Sequence, residues 1–291
     1  MDILKAFFMG LIQGLTEFLP VSSSGHLSLF SHFFKIDTGI SALYSSMLHI
    51  GSLVSILVFF YKTIYELFIE LTLCVKDITK KRFTFNSKKI SKTRRMLFML
   101  TLSCVPLLFL FIPVGNGKNL MDAFKSISTD DSILAEGICF IITGLVLLLA
   151  SLADKAYKKK RNIGPLTAFF IGVAQMISAC FPGISRSAVT ISTSLISGVS
   201  RRNAIMYSFI LSVPTVFAAG LIEFIEAMQT PTYIPVFPLI IGVLTSAVVG
   251  VLSISLLKFL FKKNKFKYFG FYCVLLGVVT TIIGIVETLS R

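Results

Sequence analysis

The stretch TEFLPVSSSGH, residues 16–26, packs a glutamate, a histidine and three serines into eleven positions. Gln13 and Glu17 lie four residues apart, so on a helix they share one face. Pro20 ends such a helix, and residues 21–25 are small and rich in hydroxyls, with His26 opening the return segment. A carboxylate and an imidazole beside serine hydroxyls are the parts of a general base and an activated nucleophile. A second stretch, FPGISRSAVT (residues 181–190), sets Arg186 in a Pro-Gly-Ser turn that opens a helix. Backbone N–H groups at such a start favour an anion, and a guanidinium grips a phosphate with two parallel hydrogen bonds. A plainer reading pairs Arg186 with Glu17 only to brace the two loops. An anion site accounts better for Gly183 and for Ser185 and Ser187 flanking the arginine. Plainer roles are also open to Glu17 as a carboxylate satisfied by hydroxyls, and to His26 as a packed histidine. His49 is as compatible with packing as with function, and His32 reads as interfacial.

Such groups are costly in the kind of chain that carries them. Of 291 residues, 55% are hydrophobic and only 14% charged, where a soluble domain has about 25% charged. Several segments approach the roughly 20 apolar residues that cross a bilayer, so the chain reads as an all-α polytopic membrane protein. The net charge of +14 is not a nucleic-acid signature, because the basic residues fall in blocks between apolar spans. Residues 3–19 lack a basic leader and contain Gln13 and Glu17, unlike a cleavable signal peptide. Five cysteines without CxxC spacing read as packing residues.

Six stretches have the length of spans: about 41–60, 96–113, 133–152, 203–222, 237–257 and 269–287. Ten of the 28 Lys and Arg fall in 62–95, five in 155–161, two at Arg201 and Arg202, and five in 258–267. The connections 114–132 and 223–236 hold only Lys118 and Lys125 beside five acids. Basic loops face the cytoplasm, which places both termini outside. Residues 3–34 and 165–200 are then left over and are predicted to be two re-entrant helical hairpins, tolerated where their backbone is buried or lines a wet cavity. They are also copies. Shifted by 162, Ala6, Phe7, Phe8, Gly10, Gln13, Pro20 and Ser23 recur as Ala168, Phe169, Phe170, Gly172, Gln175, Pro182 and Ser185, seven identities in 21 positions. The expected architecture is one membrane domain, 1–291, built as an inverted-topology repeat of about 1–152 and 163–291 with its site where the repeats meet. Glu17 and His26 correspond to Ala179 and Ala188, and Ser24 to Arg186, so the halves have diverged into different jobs.

On these residues the chain resembles the bacterial undecaprenyl-diphosphate phosphatases, the bacitracin-resistance family. QGLTEFLPVSSSGH (13–26) matches that family's acidic motif and PGISRSAVTIS (182–192) its second. GVSRRNAIMYSFILSVP (198–214) and HIGSLVSILVFF (49–60) resemble further stretches. The resemblance covers essentially the whole chain. It implies an enzyme of the bacterial plasma membrane that removes the terminal phosphate of undecaprenyl diphosphate at the outer face, recycling the cell-wall lipid carrier and conferring bacitracin resistance. It implies catalytic roles for Glu17, Ser23, His26 and Arg186, and substrate binding by Gln13, Ser24, Gly183, Ser185 and Ser187. A divalent cation, Mg or Ca, is implied too, with Glu17 as its ligand; Gln13 stands where some members have a second acid, which removes one carboxylate. Implied partners are the polyprenyl diphosphate, membrane lipids and a second copy of the chain as a homodimer, with no nucleic acid. Two mechanisms stay open: attack by Ser23, activated by His26 or Glu17, and attack by water with Glu17 holding a metal. A polyprenyl-phosphate flippase or anion transporter is the alternative in another class, because transporters share broken helices and inverted repeats.

Overall fold

Polar capping and helix-breaking residues set the element boundaries that matter for the site. A computed structural model of the chain describes residues 2–36, 38–80, 90–115, 118–121, 124, 133–157, 161–181, 183–228, 235–262 and 265–290. Helix α1 (Ile3–Thr16) starts at Asp2, whose carboxylate accepts from the Lys5 N–H at 2.7 Å. After the break around Pro20, α2 (Ser23–Phe33) starts at Ser22, whose Oγ accepts from the Gly25 N–H. Then come α3 (Thr38–Phe59), α4 (Tyr61–Thr79) and α5 (Lys92–Cys104), the last extended by a 3-10 helix with Pro106 in its first turn (Val105–Phe111). A two-stranded antiparallel pair, β1 (Pro113–Gly115) and β2 (Lys118–Asn119), follows. Next are α6 (Leu134–Ala156) and α7 (Pro165–Cys180), the latter with Pro165 in its first turn, where a missing N–H costs nothing. Helix α8 (Arg186–Ile196) is capped by Ser185, whose Oγ accepts from the Ala188 N–H. The chain closes with α9 (Arg201–Met228), α10 (Val236–Lys262) and α11 (Phe266–Ser290).

The chain is a multi-pass, all-helical membrane protein. Among the described residues, five stretches are long and apolar enough to cross a bilayer: 92–111, α6, 201–222, 236–261 and α11. Helices α3 and α4 supply a sixth if that pair, bent by 89°, is counted as one. The five overlap five of the six stretches read from the sequence; the remaining one, 41–60, falls on α3, which passes for a span only together with α4. One departure is α4, a 19-residue helix that runs from Tyr61 into the expected basic loop 62–95. Its acids explain how a basic stretch stays ordered: Arg94 on α5 pairs with both Glu70 and Asp77 of α4, the latter at 2.9 Å. Residues 81–89, 158–160, 229–234 and 263–264 of the expected loops 62–95, 155–161, 223–236 and 258–267, most of 114–132, and Pro182 lie outside the described residues. All five cysteines are free and four are buried, as packing residues should be.

Helices α1 and α7, with 14 and 16 residues, are too short to span. Each crosses a helix from the far half of the chain: α1 packs on α10, and α7 on α5 and its 3-10 extension. Both crossings depend on glycine. A Cβ on Gly10 would overlap the Gly242 carbonyl, and one on Gly172 the Ser103 carbonyl. Helices α6 and α11 make the most extensive pairing in the molecule, and α3 lies on α9. Between these layers a core built from Phe18, Leu53, Leu195, Phe209 and Ile254 closes beneath the two helix breaks. Leu252, Leu275 and Leu289 stay 64%, 68% and 82% exposed, a burden that lipid rather than water must carry.

Candidate active site

Where α1 ends, its last turn aims Glu17 inward, 6% exposed, against the start of α8. A buried carboxylate needs partners for both oxygens, and Glu17 has them. Its Oε1 forms an ion pair with the Arg186 guanidinium. Its Oε2 accepts from the Ser23 hydroxyl at 2.6 Å and from the Gln13 amide at 3.0 Å. His49 Nε2, from α3, approaches the same oxygen at 3.5 Å. Gln13 also donates to Ser52 Oγ at 3.3 Å, while its own Oε1 is buried with no partner.

The second break meets the first through backbone. Gly183, at φ 105, donates its N–H to Ser24 Oγ at 3.2 Å. A Cβ on Gly183 would press to 3.0 Å from that of Cys139, so both the dihedral and the space call for glycine. Ser185 holds its own turn: its N–H donates to Thr143 Oγ1, its Oγ caps α8, and that oxygen lies 3.2 Å from Ser187 Oγ. Ser187 reaches back to the Leu19 carbonyl at 3.4 Å. Arg186 is the first residue of α8, so its charge sits beside the unpaired N–H groups of that helix start. Its second amino group donates weakly to Thr215 Oγ1 at 3.4 Å.

These groups line one end of a cavity of about 420 Å³. Glu17, Ser23, His49, Gln175, Ser185 and Arg186 form its polar end; Leu107, Leu108, Leu110, Phe111, Ala219 and Ile222 form an apolar wall. A ligand that fits has an anionic head and a hydrocarbon tail. Among the described residues, no three His, Cys, Asp or Glu side chains gather to hold a metal. Glu17 is the single carboxylate at the centre, and both its oxygens are engaged. The residues present therefore do not fit a divalent cation held by the protein alone.

Over residues 6–279 the chain matches the family model of the bacitracin resistance protein BacA. The chain belongs to the BacA family. A family member from Methanosphaera stadtmanae named undecaprenyl-diphosphatase is 33% identical over 288 residues, covering 98% of this chain and 99% of its own. Members of the same name from Thermosipho africanus and Treponema denticola are 35% and 36% identical, covering 95% and 97% of this chain. Of the residues singled out from the family motifs, the fold brings Gln13, Glu17, Ser23 and Arg186 into direct contact, and links Ser24 to Gly183. Ser185 and Ser187 line the same cavity from the start of α8. His26 stands apart. Its Nδ1 lies 2.7 Å from the Ser22 carbonyl and its Nε2 2.7 Å from Tyr272 Oη, with neither nitrogen turned to Ser23. His49 takes the place beside Glu17 instead. A lone histidine 32 positions away, inside an apolar span, carries no periodic signal that could have shown this.

Proposed function

We propose that this chain hydrolyses undecaprenyl diphosphate to undecaprenyl phosphate and inorganic phosphate. The observation that carries the reading is the Ser23–Glu17–Arg186 contact at the polar end of a cavity whose other wall is apolar. The diphosphate head takes the polar end and the first isoprene units lie along Leu107, Leu108 and Phe111. An incoming phosphate competes with Glu17 for Arg186, because a guanidinium presents the same fork to either anion. Releasing Arg186 leaves Glu17 without its counter-charge and so a better base toward Ser23, whose hydroxyl already faces it.

Ser23 Oγ then bonds to the terminal phosphorus as its proton passes to Glu17. The bond from that phosphorus to the bridging oxygen breaks, and undecaprenyl phosphate leaves with the electron pair. Glu17 hands that proton to the departing phosphate, then takes one from water as the water oxygen attacks the phosphoserine; the phosphorus–serine bond breaks, the serine oxygen recovers the proton from Glu17, and phosphate is freed. Arg186 and the N–H groups at the start of α8 face the charge that spreads over the phosphoryl oxygens. A divalent cation would arrive bound to the diphosphate and supply counter-charge to it.

The finer architecture belongs to the same reading: an inverted repeat with two re-entrant hairpins, 3–34 and 165–200. Two reciprocal features support it. Equivalent glycines, Gly10 and Gly172, each press on backbone of the opposite half, and α1 leans on α10 as α7 leans on α5. The site opens to the outer face of the bacterial plasma membrane, and a second copy is the expected partner. Phosphate release from detergent-solubilised protein given a polyprenyl diphosphate tests the function. Absence of release, with transport of an intact polyprenyl phosphate across vesicles, would overturn it.

A further inference from the structure

His26 is hydrogen-bonded at both ring nitrogens. A carbonyl oxygen cannot donate, so Nδ1, at 2.7 Å from the Ser22 carbonyl, carries the proton. The bare Nε2 of the neutral ring then accepts from the Tyr272 hydroxyl at 2.7 Å. The ring is packed as well: Tyr272 runs nearly parallel to it, 9° off at 5.8 Å, and the Phe140 ring stands nearly perpendicular to it at 5.1 Å. What His26 holds is unusual. Ser22 sits at φ 71, a region that a residue with a Cβ rarely occupies. Its carbonyl also accepts the His26 backbone N–H at 3.2 Å, and its Oγ caps the Gly25 N–H. The next two residues are the ones that matter: Ser23 meets Glu17, and Ser24 meets Gly183 of the other break.

We infer that Tyr272 is a positioning residue of the reaction: its hydroxyl fixes His26, and the His26 Nδ1–H holds the left-handed Ser22 turn that presents Ser23 to Glu17 and Ser24 to Gly183. His26 thus serves through the turn and not as the base that takes the Ser23 proton; Glu17, at 2.6 Å, has that place. Tyr272 belongs to α11, so the last helix of the chain reaches the serine turn of the first hairpin. The inference rests on Ser23 as nucleophile, and Ser23→Ala in the same assay tests that assignment on its own.

Asparagine separates the two roles for His26, because its amide N–H reaches where Nδ1–H does but cannot shuttle a proton. Phosphate release from a polyprenyl diphosphate is to be measured across pH for Tyr272→Phe, His26→Asn, His26→Ala and the double variant Tyr272→Phe/His26→Asn, with thermal melts in detergent to confirm folding. Tyr272→Phe should lower kcat about tenfold at unchanged KM, the loss of roughly one hydrogen bond. His26→Ala should fall about a hundredfold, as misplacing a reacting group does. His26→Asn should keep the parent's pH profile and stay within about tenfold of its rate, and adding Tyr272→Phe to it should change nothing further. His26→Asn as slow as His26→Ala with the acid limb of its profile lost would overturn the inference and make His26 the base. Tyr272→Phe at the parent rate would equally overturn it. A Ser23→Ala protein that keeps its rate would instead remove the nucleophile assignment, whatever the Tyr272 and His26 variants do.

Discussion

Glu17 satisfies two oxygens with Arg186, Ser23 and Gln13 at the wall of the cavity, and this makes Arg186 and Ser23 the most informative single positions. Lysine at 186 keeps the charge but loses the planar fork, so it can hold Glu17 or the phosphate by one contact where arginine uses two. Arg186→Lys should therefore fold and insert yet lose about a hundredfold in kcat/KM, within the range for removing one donor to a developing oxyanion. Steady-state phosphate release reads this, and near-parental turnover would mean that Arg186 only braces the two loops. Ser23→Ala removes the attacking oxygen while leaving the Arg186 turn in place. It should abolish single-turnover cleavage with substrate binding retained. Ser185 differs in kind: its hydroxyl already caps α8 through Ala188. Ser185→Ala should lose about 1 kcal/mol of stability and raise KM more than it lowers kcat. A Ser23→Ala protein that still cleaves, beside an inactive Glu17→Gln, would transfer the attack to water.

Elements place these residues, and the two short helices do so by close approach to neighbours from the far half of the chain. Gly10→Ala and Gly172→Ala each force a methyl into a carbonyl of the crossing helix, an overpacking that costs roughly 1–3 kcal/mol. Gly164→Ala is the control, since nothing lies within 4 Å of its added Cβ. Melting in detergent should separate the first two clearly from the third; equal melting temperatures would mean that the crossings are loose. Much of this scale was legible in advance. Pro20, the serine run and the copy at 162 residues marked both breaks, because turn chemistry and repetition are local properties of the chain. Helix α4 was hidden since its lysines mask an amphipathic stripe, and its acids find Arg94 only once the chain folds back. The same limit applied at the site. The i, i+4 spacing of Gln13 and Glu17 was readable, whereas His49 beside Glu17 and Tyr272 on His26 are contacts over 32 and 246 positions, which no periodicity encodes.

At the scale of the molecule, the site draws on both halves, Glu17 and Ser23 from one and Arg186 from the other, so both helix breaks must open to the same side as the substrate head. Charge sets which side that is. Of the 28 basic residues, 22 fall in four segments that the order of spans read from the sequence would put on one face, and basic residues near an anionic cytoplasmic leaflet gain about 1 kcal/mol each. That distribution predicts the basic face inside and both termini outside. Single cysteines at Tyr157, beyond the end of α6, and at Ser290, the end of α11, sample the two faces in a background with the five native cysteines replaced. An impermeant thiol reagent added to intact cells should label the Ser290 position and spare the Tyr157 position until the membrane is opened. Labelling of the Tyr157 position from outside would turn the molecule over. The site would then face the cytoplasm, and a carrier dephosphorylated at the outer surface would need another enzyme.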